Sequence, residues 1–352
     1  GGEGARPLSI ERATIGLWLA MRLVILGTGA IGGAVGGFLA EAGRDVALIA
    51  RGAQCAAIAE AGLRVETPDR AFVVRPPVVD SAARIDWRAG DVALLAVKTQ
   101  DAGAALRELT AAAPGVPVVC LTNGLEAERL ALRHTPDVHA ACVMMPATYL
   151  VPGVVQVWSA PAPGVIDLGR YPGGSRPGGD DQAAAIASEL RAAAFVSDVC
   201  PDIERWKRGK LLANVANMAE ALCGRGARRS EVATRARGEA IACFDAAGLP
   251  YASLAESEAR YAAVHPRPIE GAKRAGGSTW QSLARGARSL ETDYLNGEIV
   301  LLGRLHGVAT PVNALLQRLG ADAARRGLAP GSMPLAELEA LAETERGPEH
   351  QG

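Results

Sequence analysis

The stretch "WKRGKLLANVANM" reads as a helix on which Trp206, Lys210, Asn214 and Asn217 fall at i, i+4, i+8 and i+11, along one face. Leu211, Leu212, Val215 and Met218 mark the adjoining, packed side. A lysine flanked by amides can hold an oxygen that carries negative charge, but it can equally be a surface cation snorkelling past leucines, and spacing alone favours the second. A later segment, "SLETDYLNGEIVLLGRLHG", supplies Glu291, Asp293 and Asn296 among apolar positions, and Glu291 is a candidate to hold the Lys210 ammonium. The turn before it, "GGSTWQSL", brings Ser278, Thr279 and Ser282, hydroxyls suited to binding a carboxylate.

Other polar groups stand at the ends of apolar runs. "VILGTGAIGGAV" sets Gly27, Gly29 and Gly32 in a GxGxxG pattern between an expected strand and an expected helix, with Thr28, Ala30 and Ile31 in the same loop. The first glycine permits the tight turn, the second lets backbone approach a pyrophosphate, and the third lets helix pack on strand. The helix N-terminus then offers free N–H groups to the phosphates. The next run, "DVALIAR", ends in Ala50 and Arg51, where a site for NAD would carry an acid for the ribose hydroxyls. An acid there repels a 2′-phosphate and a guanidinium holds it, so the expected cofactor is NADP. "LLAVKTQ" leaves Lys98, and "VVCLTNGLE" leaves Asn123 and Gly124, at strand ends that face the same crevice. Lys98 suits a phosphate or carboxylate, and Asn123 a ribose or a substrate.

The elements that must position these groups are legible as two kinds of chain. The 352 residues suffice for about two domains. From Met21, short β-branched runs alternate with alanine-rich helical ones, the pattern of a doubly wound α/β Rossmann domain with a parallel sheet. "TYLVPGVVQVW" and "GVIDLG" read as a strand pair closing that domain near residue 200. Beyond it, amphipathic segments predict an all-helical C-terminal domain. The expected division is an extension over 1–20, a nucleotide-binding domain over 21–200, a helical domain over 201–330 and a tail over 331–352, in which a short acidic helix leads into a frayed end.

Composition narrows the function. A net charge of −1, no basic block and 4% aromatic residues argue against a nucleic-acid partner and favour a small-molecule substrate. Six cysteines without a CxxC pair suit reduced thiols in the cytoplasm, and five dispersed histidines suggest no metal. The apolar stretch around residues 15–40 is interrupted by Arg22 and has its glycines spaced for another purpose, so neither an export signal nor a membrane span is expected. Long alanine/leucine helices offer a face for a homodimer.

Taken together, "ILGTGAIGG", "AVKTQ", "LTNGLE", "ATYLVPGVVQ", "KLLAN" and "STWQSLARGARSLETDYLNGEIVLLGRLHGVATPVN" resemble the ketopantoate reductase family (2-dehydropantoate 2-reductases), over about Met21 to Leu328. The resemblance implies a Rossmann domain followed by a helical one, with the active site between them. It matches the family's catalytic lysine to Lys210, its partner glutamate to Glu291 and an asparagine one turn on to Asn214. It also matches the NADPH-phosphate arginine to Arg51, the strand-end lysine and Asn-Gly pair to Lys98 and Asn123, and the substrate-binding serine to Ser278 or Thr279.

Two departures stand out: Met218-Ala219 where a second asparagine and a proline are usual, with Asn217 displaced by one, and Gly276-Gly277 where an asparagine is frequent. The implied chemistry is hydride transfer from NADPH to a 2-oxo acid, ketopantoate first, with Lys210 as proton donor and Glu291 orienting it. Asn123, Asn214 and Asn217 position the substrate, and Ser278 and Thr279 take its carboxylate. A same-fold reductase of another 2-oxo acid or an imine, and a non-catalytic NADP-binding regulator, are the alternatives.

Overall fold

A computed structural model describes residues 21–174, 179–274 and 276–345. Eleven strands occur among them: β1 (Arg22–Leu26), β2 (Val46–Ile49), β3 (Leu63–Glu66), β4 (Ala71–Val74), β5 (Val78–Val79), β6 (Asp91–Leu95), β7 (Val118–Cys120), β8 (Val138–Met144), β9 (Ala147–Thr148), β10 (Val154–Val157) and β11 (Val165–Arg170). Seven form one sheet in the order β11-β8-β7-β6-β1-β2-β5, parallel throughout except for β11, which runs against β8. The sheet is wound in both directions from β1. That leaves a crevice beyond the carboxyl ends of β1 and β6.

The helices of this half are α1 (Ala30–Glu41), α2 (Gly52–Ala61), α3 (Thr99–Ala112), α4 (Glu126–Leu132) and α5 (Asp181–Ala192). They cover the two faces of the sheet, which is why β1 is apolar at consecutive positions. Leu23 and Ile25 join the core under α1 and α5, while Val24 and Leu26 join the core under α3 and α4.

The second half is helical: α6 (Ile203–Asn214), α7 (Asn217–Cys223), α8 (Glu231–Ala246), α9 (Leu254–Arg260), α10 (Ser278–Ala284), α11 (Thr292–His306), α12 (Pro311–Arg326) and α13 (Leu335–Thr344). They enclose one core in which Leu212, Phe244, Ile299 and Leu316 are buried. Among the described residues no helix is long and apolar enough to cross a membrane.

Three expectations need correction. The strand pair expected from "TYLVPGVVQVW" and "GVIDLG" does not form. β10 belongs to a separate four-stranded sheet, β4-β3-β10-β9, and β11 pairs with β8. Both segments carry strand propensity, and partner choice was decided by the edge each one meets.

The helix expected to run from Trp206 to Met218 is broken at Val215-Ala216, so Asn217 opens α7 instead of continuing the face of Lys210. The Val215 carbonyl at the break is taken by the buried Asn296 side chain, whose Nδ2 also donates to Asn313 Oδ1.

The short acidic helix expected past 331 forms as α13, but it is packed on the helical domain where a separate tail was expected. Gly331 and Met333 donate backbone bonds to Ala221 and Leu222, and α13 buries Leu338 and Ala342 in the helical core. The extension over 1–20 and the end expected to fray, from 346 on, lie outside the described residues, as do positions 175–178 of the Pro/Gly loop after β11.

Candidate functional site

The glycine loop follows β1 directly, with the Gly27 amide bonded to Ile49 O of the neighbouring strand. Gly27 has φ +95°, and a Cβ there would meet Val97 at 2.7 Å. A Cβ on Gly32 would lie 2.0 Å from the Gly27 carbonyl oxygen, so the first turn of α1 reaches the loop only because that atom is missing. The loop lines a cleft of about 290 Å³ with Thr28, Gly29, Arg51, Gln54, Val97, Asp101, Glu108 and Tyr149.

The donor set fits a dinucleotide. α1 has no acidic residue in its first turn to compete for its N-terminal dipole, and the Thr28 hydroxyl is buried without a partner. Gln54, which the motif did not point to, braces the loop by donating to Thr28 O at 2.7 Å and accepting from Gly153 N at 2.7 Å.

Arg51 stands at the mouth, mostly exposed, with Nη2 2.6 Å from Glu108 Oε2. Glu108 Oε1 in turn accepts from Ala82 N. The guanidinium is thereby held beside the cleft with further donors open to solvent. Burial raises the Asp101 carboxyl above its ordinary value, and the charge of Glu291 adds to that rise.

Where the crevice passes into the helical half, four expected residues come together. Lys210 Nζ donates to Asn123 Oδ1 at 2.9 Å and to the Val143 carbonyl of β8. Glu291, at the head of α11 and 5% exposed, accepts from Lys98 Nζ at 2.6 Å. The expected Glu291–Lys210 bond is therefore replaced by a Glu291–Lys98 pair. The reason is that the Glu291 carboxylate also caps α3, accepting from Thr99 Oγ1 at 3.1 Å and Thr99 N at 3.4 Å, and Lys98 is the residue just before that helix.

Burial would raise the Glu291 carboxyl, but the charge and hydrogen bond of Lys98, with the bonds from Thr99, hold it below the ordinary value. Burial lowers the Lys210 ammonium, the cations Lys207 and Lys98 push the same way, and Cys142 and Glu291 oppose them.

An ammonium has three donors, and two of those on Lys210 are engaged, which leaves one for an incoming oxygen. One turn along, Asn214 Nδ2 is buried without a partner, a second unused donor beside it. Asn217 is not part of this pair: its Oδ1 accepts from Arg228 at 2.7 Å.

Ser278 and Thr279 open α10, behind Gly277, whose amide donates to Glu220 Oε1 at 3.0 Å. Gln281 Nε2 on α10 and Arg285 Nη1 just past its end donate to the carbonyls of Ala147 and Tyr149, tying the helical half to the rim of the glycine-loop cleft. Asp293, on the outer face of α11, bonds Gln317.

The two departures from the family pattern sit in packed surroundings. Met218 is buried in the helical core and contacts Thr292, and a Cβ on Gly276 would lie 2.4 Å from the Trp280 ring. Thr99, Gln54 and Tyr149 escaped the sequence reading. A threonine opening a helix at a strand end was the only signal for Thr99, and nothing local marks the other two. Among the described residues no group of three or more histidine, cysteine, aspartate or glutamate side chains is placed to hold a metal.

A glycine loop at the switch point of a parallel sheet, opening onto a half-buried lysine with one unused donor, is the arrangement of a nicotinamide-dinucleotide oxidoreductase with a separate helical domain. Residues 23–173 match the family described as ketopantoate reductase PanE/ApbA, and 202–322 match its C-terminal part. A 2-dehydropantoate 2-reductase of Halobacterium salinarum is 30% identical over 87% of this chain and 100% of its own length. One from Mycobacterium tuberculosis is 29% identical over 87% and 98%.

Among solved structures, a PanE/ApbA family ketopantoate reductase from Ralstonia eutropha JMP134 superposes with a TM-score of 0.69 at 27% identity, over 93% of this chain and 100% of that one. D-mandelate dehydrogenase with NADH and anilino(oxo)acetate superposes with a TM-score of 0.69 at 21% identity over the same shares, a likeness of fold alone. The chain belongs to the ketopantoate reductase family and is an oxidoreductase that works with a nicotinamide cofactor.

Proposed function

We propose that this protein reduces 2-dehydropantoate to pantoate with NADPH. The observation that carries the reading is the pair of unused donors, one N–H of Lys210 and Asn214 Nδ2, beside the crevice that the glycine loop lines. When bound, the cofactor supplies a hydride to the substrate's carbonyl carbon. Lys210 meets the negative charge that develops on the carbonyl oxygen and donates a proton to it, and a cationic group of lowered pKa is the better proton donor. Asn123 holds the Lys210 side chain, and Asn214 shares the oxygen or the adjoining carboxylate. Ser278 and Thr279 receive the carboxylate from the helical side.

Glu291 acts at one remove: it neutralises Lys98 and caps α3, which keeps both cations from crowding one oxygen. Glycines 27, 29 and 32, with Thr28, Ala30 and Ile31, cradle the pyrophosphate, and Arg51 takes the 2′-phosphate. We place the boundary between the nucleotide-binding and helical domains near residue 200, and the proposal includes a homodimer in the cytoplasm, where the six unpaired cysteines stay reduced.

The test is turnover: the purified protein oxidises NADPH in the presence of 2-dehydropantoate, and Lys210→Ala lowers kcat by about 10²–10⁴-fold, the usual contribution of a positioned acid. Turnover of the variant within a few-fold of the parent removes Lys210 from the role.

A further inference from the structure

We infer that the buried Lys207–Glu128 ion pair is the positioning element of the proton-donating end of this cleft, fixing the loop that presents Asn123 to Lys210. The inference rests on the reductase reading above. Lys207 is 5% exposed and Glu128 1% exposed, and the two are in direct contact. Lys207 Nζ also donates to the Thr122 carbonyl at 3.1 Å, and Thr122 immediately precedes Asn123.

Lys207 and Lys210 are three residues apart on α6, so their side chains leave the helix on neighbouring sides. A single turn of α6 therefore grips two successive loop residues, Lys207 by the backbone of one and Lys210 by the side chain of the next. The loop is boxed in elsewhere too. Gly124, at φ +73°, packs so close to α11 that a Cβ would lie 2.6 Å from Tyr294 O, and Thr99 Oγ1 donates to the Asn123 carbonyl at 3.3 Å.

A pair this deep is costly to desolvate and is weak evidence of stabilisation in itself. Its incomplete bonding points the same way, since Glu128 Oε2 and the Thr122 hydroxyl are both buried without partners. Placement is what the pair delivers: it joins α4 of the sheet half to α6 of the helical half at the loop between them.

It also adds a charge. The titratable groups that bear on Lys210 are Lys207 on α6, Lys98 after β6, Cys142 on β8 and Glu291 at the head of α11, and Lys207 is one of the two cations that oppose its protonation.

The experiment uses the full chain and the double variant Lys207→Met with Glu128→Leu, which exchanges the pair for apolar groups of similar volume. Expected are a normal melt and unchanged NADPH affinity by fluorescence titration, with kcat for 2-dehydropantoate about tenfold or more lower and the alkaline limb of the kcat profile moved to higher pH. Trinitrobenzenesulfonate labelling of Lys210 across pH, read by peptide mass spectrometry, should shift its midpoint upward in the same variant.

A folded double variant with unchanged kcat and an unmoved midpoint overturns the inference. Should the double variant fail to fold, Glu128→Gln replaces it: the loop then loses its ionic anchor, and kcat must fall about tenfold with the melt and the NADPH affinity kept, an unchanged kcat being the overturning result. Parent protein that reduces no 2-oxo acid overturns the reductase reading separately, while the labelling still decides the role of the pair.

Discussion

The two sides of the cleft are built on opposite principles. On the glycine-loop side the decisive atoms are missing ones: Gly27 and Gly32 let the loop and α1 close on each other, and the groups proposed to hold the phosphates are backbone N–H donors. On the lysine side the decisive atoms are charged side chains from four separate elements, arranged as Lys98–Glu291, Lys207–Glu128 and Lys210–Asn123. The first side tolerates changes of side chain that leave the backbone path alone and fails on an added carbon. The second tolerates little change of charge, because an ion stripped of its partner in a buried site costs several kcal/mol.

That contrast can be broken or sharpened by four measurements, from the largest effect to the smallest. Lys210→Ala should cut kcat by about 10²–10⁴-fold, equivalent to about 3–5 kcal/mol, with NADPH affinity nearly unchanged. Steady-state kinetics beside a fluorescence titration will show whether chemistry and cofactor binding separate in this way.

Gly32→Ala should do the reverse and weaken NADPH by about tenfold or more, with a lowered melting temperature, since its Cβ collides with the Gly27 carbonyl. Retention of full affinity would show that the loop has room that its geometry denies. Arg51→Ala removes a charge-assisted contact worth about 1.5–3 kcal/mol, so NADPH should weaken about 10- to 100-fold and NADH hardly at all. Equal losses for both cofactors would take the phosphate away from Arg51.

Glu291→Gln strips only Lys98, whose side chain is 31% exposed and can turn to water, so its effect is the smallest and most graded. The folded carboxyl lies below its unfolded value, so its contribution to stability is present above about pH 4.3 and is lost as pH falls through the lower folded value. Melting curves from about pH 7 down to about pH 3 should therefore decline less steeply in the variant than in the parent. Parallel curves would mean that the Lys98–Glu291 pair contributes no pH-dependent stability.

The placement of the glycine-loop side was largely legible because its signals are local. GxGxxG, the Ala50-Arg51 ending and the strand-end positions of Lys98 and Asn123 each sit within a few residues of the strand that places them. On the lysine side the participants were legible and their pairing was not. Glu291 was expected to hold Lys210, yet it holds Lys98 and Thr99, because the choice between two cations near one carboxylate depends on where α11 begins relative to α3. Asn217 was assigned to the cleft by extending one helical face across Val215-Ala216, and the break hands it to Arg228. Lys207, which the sequence reading passed over, is buried because α6 packs on β8 and meets α4 through Glu128.

From sequence alone follow the alternation of elements that makes a doubly wound sheet, the helical character of the rest, the glycine loop between strand and helix and the set of polar residues available for chemistry. These depend on periodicity and on single-residue stereochemistry, which act over a few positions. Which lysine meets which carboxylate, which amide is left with an unused donor and which glycine is forced by a neighbour were decided by tertiary structure. Those outcomes depend on distances between segments up to 193 residues apart, as in the bond from Lys98 to Glu291, and no local preference encodes such a distance.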